Sequence, residues 1–144
     1  MKVYVSGKND NLDKKEIRAA IKFYGKTLLT ERLFDKIKVY IKCRSTEDGG
    51  SADPIDDIRR PRVFEIYVNP LMGKRKQLIT LAHEMVHIKQ FAKDELKYNV
   101  RRNTDKWLGE YIDSSVDYFD KPWEIEAFGR ELGLYVRYMN QRKK

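Results

Sequence analysis

Residues 75 to 92, RKQLITLAHEMVHIKQFA, would point apolar groups in nearly every direction if helical, through Leu78, Ile79, Leu81, Ala82, Met85, Val86 and Ile88. A helix with so little polar face is stable only when other elements surround it, so the fold has to be built around this segment. Set into it are the only two histidines of the chain, His83 and His87, with Glu84 next to the first. Residues four apart on a helix differ by about 40° in direction and lie one turn apart, so both imidazoles can face one atom. Glu84, the next residue around, lands beside them.

This H-E-x-x-H spacing presets two ligands of a metal ion and leaves a carboxylate near enough to handle a water without being a ligand itself. Burying an unpaired carboxylate is costly, and a divalent cation is its simplest compensation. The alternative is a pair of core histidines satisfied by hydrogen bonds. An open zinc site takes three protein ligands. No third histidine exists, and the single cysteine, Cys43, falls on a predicted strand whose facing is undetermined. The third ligand is therefore expected from 122-PWEIEAFGRELG-133, where Glu124 and Glu126 point about 200° apart on one helix. Taking Ile125, Phe128, Leu132, Tyr135 and Met139 as the buried stripe places Glu124 nearer to the core and Glu126 toward solvent. Glu124 is preferred on that ground, and Glu126 stays open.

Around these segments the periodicity changes. Alternation in MKVYVS, 37-IKVYI-41 and 63-VFEIYV-68 predicts three strands with one wet face. Between the first two, 13-DKKEIRAAIKFYGKTLL-29 reads as an amphipathic helix capped by Asp13. Residues 44 to 62, with Gly49-Gly50, Asp53-Pro54 and Arg59-Arg60-Pro61, read as a long exposed, mobile loop. Residues 93 to 120 mix short helical and strand-like pieces. A last helix starts near Asp120 to Pro122 and runs to about Asn140. The order predicts an α+β fold in one domain of 144 residues, a sheet of about three strands packed on the histidine-bearing helix.

Composition limits the classes. Charged residues make up 36% and mean hydropathy is −0.71, and no apolar run reaches the length of a membrane span, so no membrane partner is expected. The N-terminus lacks the apolar stretch of a secretory signal and a lone cysteine makes no internal disulfide, which points to a reducing cytoplasm. The net charge of +8 suits weak, sequence-indifferent association with nucleic acid. Its clusters, 59-RRPR-62, 74-KRK-76, 101-RR-102 and 142-RKK-144, are scattered, and a solvated surface is the simpler reading.

The motifs 83-HEMVH-87 and 124-EIEA-127 resemble those of zincin metallopeptidases, in the gluzincin-like arrangement where a glutamate on the following helix completes the site. The longer stretches HEMVHIKQ and PWEIEAF are similar to small SprT-like metallopeptidases of phages and other viruses. The resemblance covers roughly residues 63 to 135. It implies Zn²⁺ held by His83, His87 and Glu124, Glu84 as general base, and a peptide or protein substrate lying along strand 63–68 as a sheet edge. It also implies an intracellular enzyme of the virus-encoded kind. Two departures stand out: cellular SprT-type enzymes use a third histidine, absent here, and Phe128 stands where many gluzincins have an acidic residue. Tyr111, Tyr118 and Arg130 are unranked candidates for stabilising an oxyanion. The rival expectation is a basic nucleic-acid-associated or partner-binding module on a catalytically idle zincin scaffold.

Overall fold

A computed structural model describes residues 1–56, 58–99 and 104–142. It is an α+β fold with a four-stranded sheet, a second sheet of three short strands, and four α-helices. The first strand, β1 (Lys2–Ser6), leads into α1 (Lys14–Leu28), whose cap Asp13 accepts the backbone N–H of Glu16 at 2.7 Å. That bond satisfies one of the free donors of the first turn. After a six-residue helix α2 (Glu31–Lys36) the chain returns as β2 (Lys38–Cys43), parallel to β1. The strands β3 (Gly50–Pro54) and β4 (Val63–Val68) complete the sheet in the order β1-β2-β4-β3, with β3 antiparallel to β4.

Two sequence expectations change here. The sheet has four strands because Gly50–Pro54, read as part of a mobile loop, pairs with β4 along its whole length. The edge beside the histidine helix is consequently β3, and strand 63–68 lies inside the sheet between β2 and β3. The backbone hydrogen bonds Asn69 N–H to Gly49 O and Ile55 N–H to Val63 O, both 2.9 Å, set the alternation of an antiparallel pair. Residues 49, 51, 53 and 55 bond toward β4, so Gly50, Ala52 and Pro54 turn their backbone groups outward. Pro54 has no N–H, and the free edge thus offers donors only at Gly50 and Ala52.

Val39, Ile41, Phe64, Ile66 and Val68 form the buried face of the sheet. Against it packs α3 (Lys74–Ala92), whose buried residues run almost without a break from Gln77 to Ala92, as its apolar circumference requires. α1 and α4 (Pro122–Arg142) pack on α3. Residues 93 to 120 hold the second sheet, β5 (Leu96–Asn99), β6 (Thr104–Trp107) and β7 (Glu110–Ile112), followed by a 3₁₀ turn at Tyr118–Asp120. Among the described residues no helix is long and apolar enough to cross a membrane.

The buried face of α4 also differs from expectation. Ile125, Phe128 and Leu132 are 57%, 41% and 51% exposed, while Tyr135 and Met139 are only partly buried. The residues that turn inward are Trp123, Glu124, Ala127, Leu134 and Tyr138, a face rotated by about 100°. Packing and polar anchors together set this rotation. Trp123 packs near Trp107 at 6.3 Å between ring centroids, Tyr138 reaches Glu16 at 2.9 Å, and the small Ala127 lies fully buried.

Candidate metal centre

Three side-chain atoms from two helices converge on one point. His83 Nε2 lies 3.2 Å from His87 Nε2 and 3.1 Å from Glu124 Oε1, and His87 Nε2 lies 3.3 Å from the same oxygen. Ligands about 2.0 to 2.1 Å from a tetrahedral zinc ion stand roughly 3.3 Å apart, so this triangle has the size that such an ion needs. His83, His87 and Glu124 are each less than one-tenth exposed. The donor set, two imidazoles and one carboxylate, suits zinc or a neighbouring divalent transition metal.

The orientation of His87 follows from its neighbours. The Gln90 side-chain amide donates to Trp123 O and to Glu126 Oε1, both at 2.9 Å. Those partners only accept, so the amide oxygen faces His87 Nδ1 at 2.8 Å. Nδ1 therefore carries the hydrogen, and in the neutral ring Nε2 presents its lone pair to the cluster. His83 is held differently. Glu131 Oε2 is 3.4 Å from its Nδ1, an electrostatic contact without hydrogen-bond alignment, and the Phe128 ring packs edge-on at 4.6 Å.

Glu126 does not point to solvent as expected. It accepts from the Lys89 ammonium at 2.7 Å and from Gln90, with Arg130 at 3.5 Å. Glu126 therefore stands on the far side of Gln90 from the triangle, joined to it through His87. Of the three candidate donors, Tyr118 lines the site and gives its hydroxyl to Glu124 Oε1 at 3.0 Å. Arg130 pairs with Glu126, and Tyr111 is an exposed residue of the second sheet beneath Lys106.

Electrostatics separate the two glutamates near the histidines. Burial pushes the Glu84 carboxyl up to about 7, although His87 and His83 pull against it. For Glu124 burial acts in the same direction but is outweighed by His83, His87 and Tyr118, which bring it down to about 2. Burial lowers the His83 imidazole, yet contacts with Glu124 and Glu131 more than offset this and raise it to about 9. His87 is likewise raised against its burial, chiefly by Glu124. The cluster is thus negative enough to hold a proton on His83, and a divalent cation would compete for that position.

The triangle opens into a cleft of about 560 Å³. Gly50, Ser51, Ala52 and Asp53 of β3 line one side, and Tyr98, Tyr118 and Phe128 also border it. β3 is pressed against α3: a Cβ added to Gly50 would meet Thr80 Cγ2 at 2.6 Å and come within 3.6 Å of Glu84 Oε1. A side chain there would force Thr80 to shift, so glycine lets the strand lie this close to α3.

Gln90, Glu131, Asp53 and Tyr98 were not singled out from sequence. Gln90 lies three residues after His87, and Glu131 seven after Glu124, spacings that put each on its ligand's helix face. Asp53 and Tyr98 gave no such signal, because separate sheets bring them in. The basic residues are partly engaged: Lys74 and Arg142 share Glu16, Arg75 lies over the Tyr135 ring, and Arg101 and Arg102 fall outside the described residues. No family model, curated protein or solved structure matches this chain.

Proposed function

We propose that this protein is a zinc-dependent peptidase of zincin type, with His83, His87 and Glu124 as ligands and Glu84 as general base. The reading is carried by the 3.1 to 3.3 Å triangle of donor atoms together with a separate carboxylate in the same open cleft. A structural zinc site is normally closed by four protein ligands, whereas the group of potential ligands among the described residues contains three.

Bound zinc would supply Lewis acidity, polarising a carbonyl and making a water more acidic. The chain's own residues do the rest. Glu84, a buried carboxyl in the same cleft that stands outside the ligand triangle, is suited to take a proton from the attacking water and return it to the leaving amine nitrogen. Tyr118 gives its one hydroxyl hydrogen to Glu124 Oε1 and so holds that carboxylate in place; it would serve a substrate carbonyl oxygen only by giving up that bond. The outward N–H groups of Gly50 and Ala52 offer an extended peptide backbone two donors, and the outward carbonyls of Gly50, Ala52 and Pro54 give it acceptors.

The test is twofold. Metal-replete protein should contain one zinc per chain by elemental analysis, lost in His83→Ala or His87→Ala, and it should cleave members of a diverse peptide library in a chelator-sensitive manner. Zinc content near zero removes the metal-site reading. Full occupancy without turnover of any peptide removes the peptidase reading.

A further inference from the structure

At the far end of β3 the cleft meets a second cavity, of about 470 Å³, which includes Pro54, Ile55, Ile58, Phe91, Leu96 and Tyr98 in its wall. Tyr98 belongs to both cavities, with its ring held edge-on against Phe91 at 5.1 Å. Ile55 and Ile58 are 50% and 56% exposed there. Folding leaves this apolar surface uncovered, although Phe91 and Leu96 beneath it are buried. An apolar concavity joined to a reactive cleft is a usual form for a specificity site.

Its charged groups are already committed. The Asp56 carboxylate accepts the backbone N–H groups of Arg62 at 2.9 Å and Val63 at 3.2 Å. Arg59 and Lys97 sit with Asp94 at 4.0 and 3.5 Å. Asp56 is the single carboxylate among the described lining residues, and Arg59 and Lys97 outnumber it, so the wall disfavours a lysine or arginine of a ligand. The occupant that fits is aliphatic or aromatic.

The free edge of β3 gives this occupant its place in sequence. Donors at Gly50 and Ala52 hold an added strand beside Glu84, and the edge then loses its donor at Pro54. A strand rises about 3.3 Å per residue, so Ile55 lies about 10 Å beyond Ala52. We infer that the cavity under Ile55 and Ile58 is a substrate subsite that takes one large apolar side chain about three residues from the cleaved bond. This rests on the peptidase reading and names the substrate class for it: extended peptides with an apolar anchor on the Pro54 side of the scissile bond.

The experiment uses metal-loaded full-length protein and a peptide library varied one position at a time, with cleavage sites mapped by mass spectrometry. One position, three residues from the cut or adjacent to that, should favour Leu, Ile, Met or Phe over Lys by at least roughly 10-fold in kcat/KM. Ile58 is on an exposed loop, so Ile58→Glu tests the wall without removing core. It should lower the Leu-to-Lys ratio at that position by roughly 10-fold or more, as the new carboxylate receives the lysine, whereas Ile58→Leu keeps the parent ratio. A general loss of folding would lower both rates without bringing lysine forward. Turnover with no positional preference, or a ratio that Ile58→Glu does not move, overturns the subsite and leaves the peptidase reading standing. Absence of turnover for every peptide overturns both.

Discussion

Gln90 Oε1 accepts the Nδ1–H of His87 at 2.8 Å, and this one contact decides which nitrogen of that ring faces the cluster. The amide cannot turn over, because its NH₂ group is shared between Trp123 O and Glu126 Oε1. Replacing Gln90 by leucine keeps much of the volume but frees the ring to rotate or change tautomer. Zinc affinity of Gln90→Leu is expected to fall by about 10- to 100-fold, read by competition with a chromophoric chelator. Thermal unfolding of the metal-free variant, measured alongside, separates this from loss of fold. Unchanged affinity in a folded variant removes the orienting role.

Glu84 and Glu124 line the same cleft, and the proposed peptidase gives them different tasks. Glu84→Gln preserves shape and removes the proton acceptor, so zinc content should stay at one per chain while peptide hydrolysis drops by at least roughly 100-fold. Measuring both on one preparation matters, since a fall in turnover that merely tracks lost zinc would assign Glu84 to the ligand set. A Glu84→Gln protein that cleaves at the parent rate rules out the general-base role.

The histidine helix and its partner glutamate were legible because a single helix carries both imidazoles, and i, i+4 spacing needs no tertiary information. The face of α4 was harder. Its most apolar stripe, Ile125, Phe128 and Leu132, is substantially exposed, and the inward face includes Glu124 and Tyr138, which have polar partners inside. Hydrophobicity alone therefore favoured Glu124 through the wrong rotation of the helix. β3 was illegible for a different reason. The sequence GSADP has weak strand propensity, and its extended form comes from pairing with β4 and from the fit of Gly50 against Thr80. Residues 93 to 120 fold into strands of only three or four residues, too short for alternation to register.

Glu126 gives a direct comparison with Glu124 on the same helix. Glu124→Gln is expected to weaken zinc binding strongly, because it replaces an anionic ligand by an amide. Glu126→Gln should keep zinc within about 10-fold of the parent, as an effect passed through Gln90. Its main consequence is on stability: Lys89, only 7% exposed, loses one of its two carboxylates and keeps Glu95 at 2.8 Å. Thermal denaturation should show a lower midpoint for Glu126→Gln, since a buried ammonium is left with less compensation. If zinc loss follows Glu126→Gln and spares Glu124→Gln, the ligand assignment is wrong.

Far from the cleft, Glu16 ties three helices together. Its carboxylate receives Lys74 at 2.6 Å from the start of α3, Tyr138 at 2.9 Å from α4, and Arg142 from the end of α4. Burial tends to raise the Glu16 carboxyl, but Lys74, Arg142 and Tyr138 outweigh it and bring it to about 2 from 4.5. A carboxyl with a lowered pKa in the folded state contributes stability above its unfolded pKa and loses it as pH falls through the folded one. The Glu16 contribution is therefore complete above about pH 4.5 to 5 and declines toward pH 2. Glu16→Gln should unfold at a lower temperature than the parent at pH 6, and the gap should narrow steadily as the pH is taken from 4.5 toward 2. Metal-free protein is the form to use, so that acid release of zinc does not enter the comparison. A gap that stays constant across that range would mean that packing of the Glu16 side chain, and not its charge, joins the helices.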